Sequence, residues 1–251
     1  MGSVVWSTMM YLLVDTEGLR ITVLVRGETF PVHLKHWRRF TVFTVWCWSL
    51  QGAYFALTLA SSLALVYPSL APLLAPSAPV RVLAQMLFEV SFAMAYLVTF
   101  VVTFLLIPAS VKQNISPVNF YKRLPLLFHN FNVIFMVIEL FTNKVPFLLW
   151  HFPVAIFYGM VYVVFAWVWF SATGIFYYFF MDYARPLAVL WYAGLIAIMS
   201  AFFLLGYFMS YAITETSHWA VYLAVSVFSA AIMDFNRHNK DLDKYERGKA
   251  T

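Results

Sequence analysis

The chain has 251 residues, of which 63% are hydrophobic, 20% aromatic and only 11% charged. So little polar surface cannot cover a water-soluble globule of that length, and the composition excludes one. Sixteen Lys and Arg against eleven Asp and Glu leave a net charge of +5. With no nucleic-acid-binding motif beside it, that excess reads as a topology signal and an affinity for the anionic headgroups of membrane lipids, and nucleic acid is not expected as a partner.

The first 39 residues carry both signs of charge and lack the apolar run and small-residue cleavage site of a secretory signal, so the first membrane span is expected to act as its own signal. Met1-Gly2 does not make a myristoylation start, because Trp6 stands where Ser or Thr belongs. Tyr11–Val14 and Leu19–Val25 are rich in β-branched and large apolar residues around the turn-like Asp15-Thr16-Glu17-Gly18. A small hairpin and an interfacial amphipathic segment both fit this arm, residues 1–39.

A bilayer core takes about 20 mostly apolar residues per helix at about 1.5 Å rise each. Six segments qualify: Phe40–Tyr67, Val82–Ile107, Leu124–Phe141, Val145–Phe170, Leu187–Ile213 and Trp219–Met233. The fold class is therefore all-α, a polytopic six-helix bundle over residues 40–235, with a polar, mixed-charge tail at 236–251 expected to be partly disordered. Pro125 and Pro186 stand near the start of their helices, where a missing amide hydrogen is harmless, whereas Pro153 lies inside the fourth segment and should kink it.

Six spans put every basic residue except Arg81 and Lys144 on one side of the membrane. The positive-inside bias then places both termini in the cytoplasm, in an endoplasmic-reticulum or other endomembrane, or in the matrix if the membrane is the mitochondrial inner one. Asn114-Ile115-Ser116 precedes Pro117 on that same side and should not be glycosylated. Cys47 is the only cysteine, so the chain has no internal disulfide and no cysteine-based metal site; neither metal nor cofactor is expected. The two halves share no polar motif, which argues against an inverted-repeat transporter.

Polar residues inside spans are costly and default to functional hypotheses. They are Thr41, Thr44 and Gln51 in the first segment, Gln85 and Glu89 in the second, His129, Asn130, Asn132 and Glu139 in the third, and His151 in the fourth. Gln51 lies seven residues beyond Thr44 and so shares its face, and His129, Asn132 and Glu139 fall within an arc of about 80°. Counted from the basic side, Thr44 lies about 6 Å and His129 about 7–8 Å deep, level with each other. Glu139, about 15 Å further along, is too far to orient the imidazole and is expected instead to share an outer pocket with Glu89, Gln85 or His151. A neutral imidazole within reach of a hydroxyl is the usual base for an activated Thr, and at headgroup depth such a pair suits a substrate with a lipid tail and an ester. The plainer alternative has Thr44 bonding the carbonyl one turn back while His129 and Asn132 tie helices together.

Arg39-Phe40-Thr41-Val42-Phe43-Thr44, continuing to Leu50-Gln51 and Ala53-Tyr54-Phe55, together with Pro125-Leu126-Leu127-Phe128-His129 and Glu139, resembles the androgen-induced protein family, which includes the androgen-dependent regulator of tissue-factor-pathway inhibitor. The resemblance covers the first and third segments. It implies a multi-span threonine hydrolase of fatty acid esters of hydroxy fatty acids, with Thr44 as nucleophile and His129 as base. Two family positions differ: a His three residues before the catalytic one and a Thr after it are Leu126 and Asn130 here. The run His129–Met136, Pro146 and the Asp182–Leu190 region are as similar to the rolling-stone-like membrane proteins, which share a His-x-x-Asn element without an established reaction. Three readings result: a lipid-ester hydrolase using Thr44 and His129, supported by Gln51, Asn132, Glu139 and Glu89; a non-catalytic scaffold or accessory subunit among other membrane-protein subunits; and a lipid-binding protein without turnover.

Overall fold

The computed structural model describes all residues except 16–17, 26–27, 217, 235–239, 244 and 247–251. Five helices are long and apolar enough to cross a bilayer: Phe43–Val66, Ala78–Lys112, Arg123–Asn143, Leu149–Thr173 and Ala188–Thr216. In chain order these are the first to fifth long helices. A sixth, Trp219–Met233, occurs where expected, but its 15 residues reach only about 22 Å against a hydrocarbon core of about 30 Å. The chain is thus an all-α integral membrane protein.

The second long helix is the centre of the bundle. Its apolar window is 78% buried, against 28%, 17% and 22% for the first, fourth and fifth, whose outward faces are left for lipid. It carries a π-helical turn, Val102–Leu106, just ahead of Pro108. A proline removes one ladder hydrogen bond and crowds the carbonyl four residues back, and the wider turn relieves both. The third long helix has its own π turn, Leu127–Phe131; here the Thr99 hydroxyl of the second helix takes the His129 carbonyl, an intrusion into the ladder of the kind that opens such a turn.

Pro153 does not kink the fourth helix. The regular helix begins at Phe152, so the proline occupies its first turn, where no amide hydrogen is needed, and residues 144–148 form a connection instead of the expected helical start.

The N-terminal arm differs most from expectation. Tyr11–Val14 continues a helix, Gly2–Val14, that runs antiparallel along the first long helix. Trp6 donates its indole N–H to the Gly52 carbonyl at 3.2 Å, and Trp48 donates to the Thr8 hydroxyl at 2.8 Å. A methyl group on Gly52 would come within 3.2 Å of Val5, so the small residue permits the close approach. Gly2 packs on Phe55, twelve residues past the start of the first long helix, hence about 18 Å along it. Gly2 therefore packs against the middle of the first long helix.

A hairpin does form, but Leu19–Val25 pairs antiparallel with Glu28–Leu34, in register from Leu19 opposite Leu34 to Val25 opposite Glu28. The turn expected at Asp15-Thr16-Glu17-Gly18 falls partly on residues 16 and 17, outside the described residues. Gly18 has φ +81°, and a Cβ there would meet the Leu34 carbonyl oxygen at 2.9 Å, so only glycine suits. Most of the tail also lies outside the described residues; residues 240–243 are helical, and Asp241 accepts a hydrogen bond from the Tyr121 hydroxyl at 2.9 Å.

Helix, hairpin and bundle meet at Arg39, only 1% exposed. Its guanidinium donates to the Leu34 carbonyl at 3.2 Å, the Leu12 carbonyl at 3.1 Å and the Asp15 carbonyl at 2.9 Å, and it pairs with the Asp15 carboxylate. Arg39→Met should cost about 3 kcal/mol, because the guanidinium's ion pair with Asp15 and its bonds to three carbonyls are lost together. Thermal unfolding in detergent should show it, with the exposed neighbour Arg38→Met staying within about 0.5 kcal/mol of wild type.

Candidate functional site at the basic end of the bundle

Thr44 stands in the first turn of the first long helix. Hydroxyl residues further along that helix bond back one turn: Ser49 to Val45, Ser61 to Leu57 and Ser62 to Thr58, at 2.7, 2.8 and 2.8 Å. Thr44 has no such outlet. The carbonyls it would reach accept other side chains, the Phe40 carbonyl from the Trp46 indole N–H at 2.6 Å and the Thr41 carbonyl from the Tyr162 hydroxyl at 3.1 Å, and Thr44 bonds neither. The plainer role considered for Thr44 is therefore not the one it plays. Its polar neighbour is Tyr178, which faces it from the connection after the fourth long helix; the buried Tyr178 hydroxyl lies near the Thr44 hydroxyl and the Phe43 and Thr44 amides but closes no hydrogen bond of good geometry with them.

His129 sits in the π turn of the third long helix, with its carbonyl held by Thr99 and its ring against Phe120, 6.3 Å between centroids. Its Nδ1 is buried without a hydrogen-bond partner. Thr44, His129 and Tyr178 line one cavity of about 1160 Å³, whose rim carries Lys35, Lys122 and Arg123. The hairpin, the connection around residues 113–123 and that around 177–179 converge there, which brings Lys35, Arg39, Lys122 and Arg123 to one end of the bundle. A second cavity of about 420 Å³ is lined almost wholly by apolar side chains, among them Leu97, Val101, Ile156 and Met199. Both cavities are bordered by Thr44, Val102, Leu106 and Tyr178. A vestibule with a basic rim and an apolar slot thus adjoin along these four residues.

The other polar residues singled out from the sequence form two further groups. Gln51 donates to the Asn132 carbonyl at 3.1 Å; Asn132 accepts from the Thr99 hydroxyl at 3.3 Å and donates to the Ala95 carbonyl at 3.3 Å. These residues knot the first three long helices and do not reach the cavity. Asn130 donates to the Met233 carbonyl at 3.1 Å and holds the sixth helix.

At the opposite end, Glu89, 0% exposed, accepts from His151 at 2.7 Å, Gln85 at 3.2 Å and the Leu148 amide at 3.0 Å. Glu139 does not join it. It accepts instead from the Tyr54 hydroxyl at 3.0 Å and from Asn143, so the single outer pocket expected for both carboxylates is divided into two. Among the described residues no three metal-ligating side chains come together.

Sequence reasoning did not single out Tyr178. It lies in the aromatic run Phe176–Phe180, after Gly174 ends the fourth long helix in a left-handed cap, and that cap was the only local sign that the run turns back into the bundle. No protein-family model, curated protein or solved structure matches this chain.

The geometry separates structural from spare hydroxyls. Thr44→Val should leave stability unchanged or slightly raised, since it removes a hydroxyl without a backbone bond, whereas Asn132→Leu should lose about 1–2 kcal/mol by stripping three hydrogen bonds from the interior. Melting temperatures of the purified variants in one detergent make the comparison.

Proposed function

We propose that this chain is a multi-pass membrane lipid-ester hydrolase of the fatty-acid-ester-of-hydroxy-fatty-acid type, with Thr44 as nucleophile and His129 as general base. The observation that carries the reading is the position of Thr44: the residue lines both the vestibule it shares with His129 and the apolar slot, and its hydroxyl makes no bond to its own helix. An acyl chain fits the slot, and the polar remainder of the ester fits the vestibule with its basic rim. In this reading the protein resides in an endoplasmic-reticulum or other endomembrane with the vestibule toward the cytoplasm.

The chemistry proceeds in two halves. As Thr44 Oγ1 attacks the ester carbonyl carbon, His129 takes the hydroxyl proton. The tetrahedral adduct collapses, the bond from carbon to the hydroxy-acid oxygen breaks, and that oxygen leaves with the proton from His129. Water, deprotonated by the same imidazole, then cleaves the acyl-threonine and releases the fatty acid. His129 Nδ1 makes no hydrogen bond within the protein, so no internal partner commits the imidazole to another role.

A serine- and threonine-reactive fluorophosphonate probe applied to purified protein tests the proposal. Wild type should be labelled, Thr44→Val should not, and His129→Gln should react about 100-fold or more slowly. Equal labelling of wild type and Thr44→Val would rule out Thr44 as nucleophile. An unlabelled wild type that purifies only with other membrane subunits would favour the accessory-subunit reading.

A further inference from the structure

Tyr178 is built as a donor waiting for an acceptor. Other tyrosines nearby are satisfied: Tyr177 accepts from the Thr41 hydroxyl at 2.7 Å, Tyr162 donates to the Thr41 carbonyl at 3.1 Å, and Tyr192 donates to the Met181 carbonyl at 2.6 Å. The Tyr178 hydroxyl is buried with no partner, although a buried polar group is normally paired. Its ring is fixed by stacking on Phe180, centroids 5.4 Å apart and planes at 10°, and by the edge of Tyr162 at 6.4 Å. Packing therefore aims the hydroxyl. Tyr178 lines both cavities, and its hydroxyl lies beside Thr44 with no open surface of its own in the free protein.

We propose that Tyr178 donates a hydrogen bond to the carbonyl oxygen of an acyl ester lodged across the two cavities, and so stabilises the oxyanion formed when Thr44 attacks. The carbon bonded to Thr44 Oγ1 in the adduct also bears the oxyanion, so a donor beside Oγ1 is beside the new charge. The carbonyl π pair moves onto that oxygen, the Tyr178 O–H donates without surrendering its proton, and the charge returns to the carbonyl when the alkoxy group leaves with the proton from His129. Burial raises the phenol above its ordinary range, so Tyr178 stays protonated, hence a donor, at physiological pH. Preorganised donors of this kind are worth about 100- to 1000-fold in turnover each. The turnover part rests on the hydrolase reading; recognition of the carbonyl does not.

Tyr178→Phe in the full chain separates the two. Hydrolysis of a long-chain ester should fall about 100-fold in kcat with KM within about threefold and the melting temperature unchanged, because the hydroxyl removed bonds nothing in the free protein. In a Thr44→Val background, which cannot turn over, a long-chain ketone should bind about tenfold more tightly than the thioether of equal length, and Tyr178→Phe should abolish the difference. Full kcat together with an unchanged ketone preference in Tyr178→Phe overturns the assignment. A wild type that hydrolyses nothing but prefers the ketone through Tyr178 overturns the hydrolase reading and keeps the carbonyl site; absence of both overturns both.

Discussion

The interior hydrogen bonds joining Thr99, Asn132 and Gln51 hold the rest of the structure in register. Lipid offers no partners, so each backbone or amide group freed in the core must be met by another helix. Thr99 takes the His129 carbonyl and reaches the Asn132 amide oxygen, Asn132 reaches Ala95, and Gln51 closes the triangle on the Asn132 carbonyl. Gln51 is about 10 Å along its helix from Thr44, and Asn132 about 4.5 Å from His129. The knot therefore lies just beneath the candidate pair and fixes how the first and third helices present it.

The same scarcity of partners shapes both ends. At one end Glu89 gathers His151, Gln85 and the Leu148 amide, binding the connection before the fourth helix to the central one. At the other, Arg39 gathers carbonyls from the N-terminal helix and the hairpin and pairs with Asp15. Against this thorough pairing, the exceptions carry information. Among the described residues four buried side-chain atoms lack partners, on Ser91, His129, Trp169 and Tyr178, and two of those residues line the vestibule beside Thr44. A bundle that commits its polar groups to cohesion elsewhere leaves them uncommitted around one cavity.

The spans were legible because a run of some twenty apolar residues has few other uses, and the polar residues within them stood out against grease. Boundaries were less legible: Val145 to Leu148 are as apolar as a helix, but the Glu89 carboxylate draws the Leu148 amide away from a ladder. The N-terminal helix was hidden because its β-branched and aromatic residues suggest strand, and its conformation is decided by packing on the first long helix, which no local propensity records. Arg39 looked like one more topology charge, since counting cannot detect pairing. Tyr178 carried no signal among 15 Tyr and 26 Phe; what distinguishes it is a missing bond, which exists only in three dimensions.

The two π turns explain how one helix can serve both cohesion and the site. Each adds a residue to its turn, which rotates the helix on its N-terminal side by roughly 100° relative to the helix on its C-terminal side. In a regular third helix, His129 and Asn132 would share a face, and an asparagine turned to Ala95 and Gln51 would carry the imidazole toward the same interior. With Leu127–Phe131 widened, Asn132 faces the knot while His129 borders the vestibule. The Thr99 hydroxyl takes the His129 carbonyl within that widened turn, so the knot and the π turn share a residue. On the facing helix, Val102 and Leu106 bound the Pro108-driven π turn and line both cavities. The turn that the core bond engages is thus also the one that presents the imidazole to the vestibule, and the cavities at Thr44 lie where both helices depart from α-helical geometry.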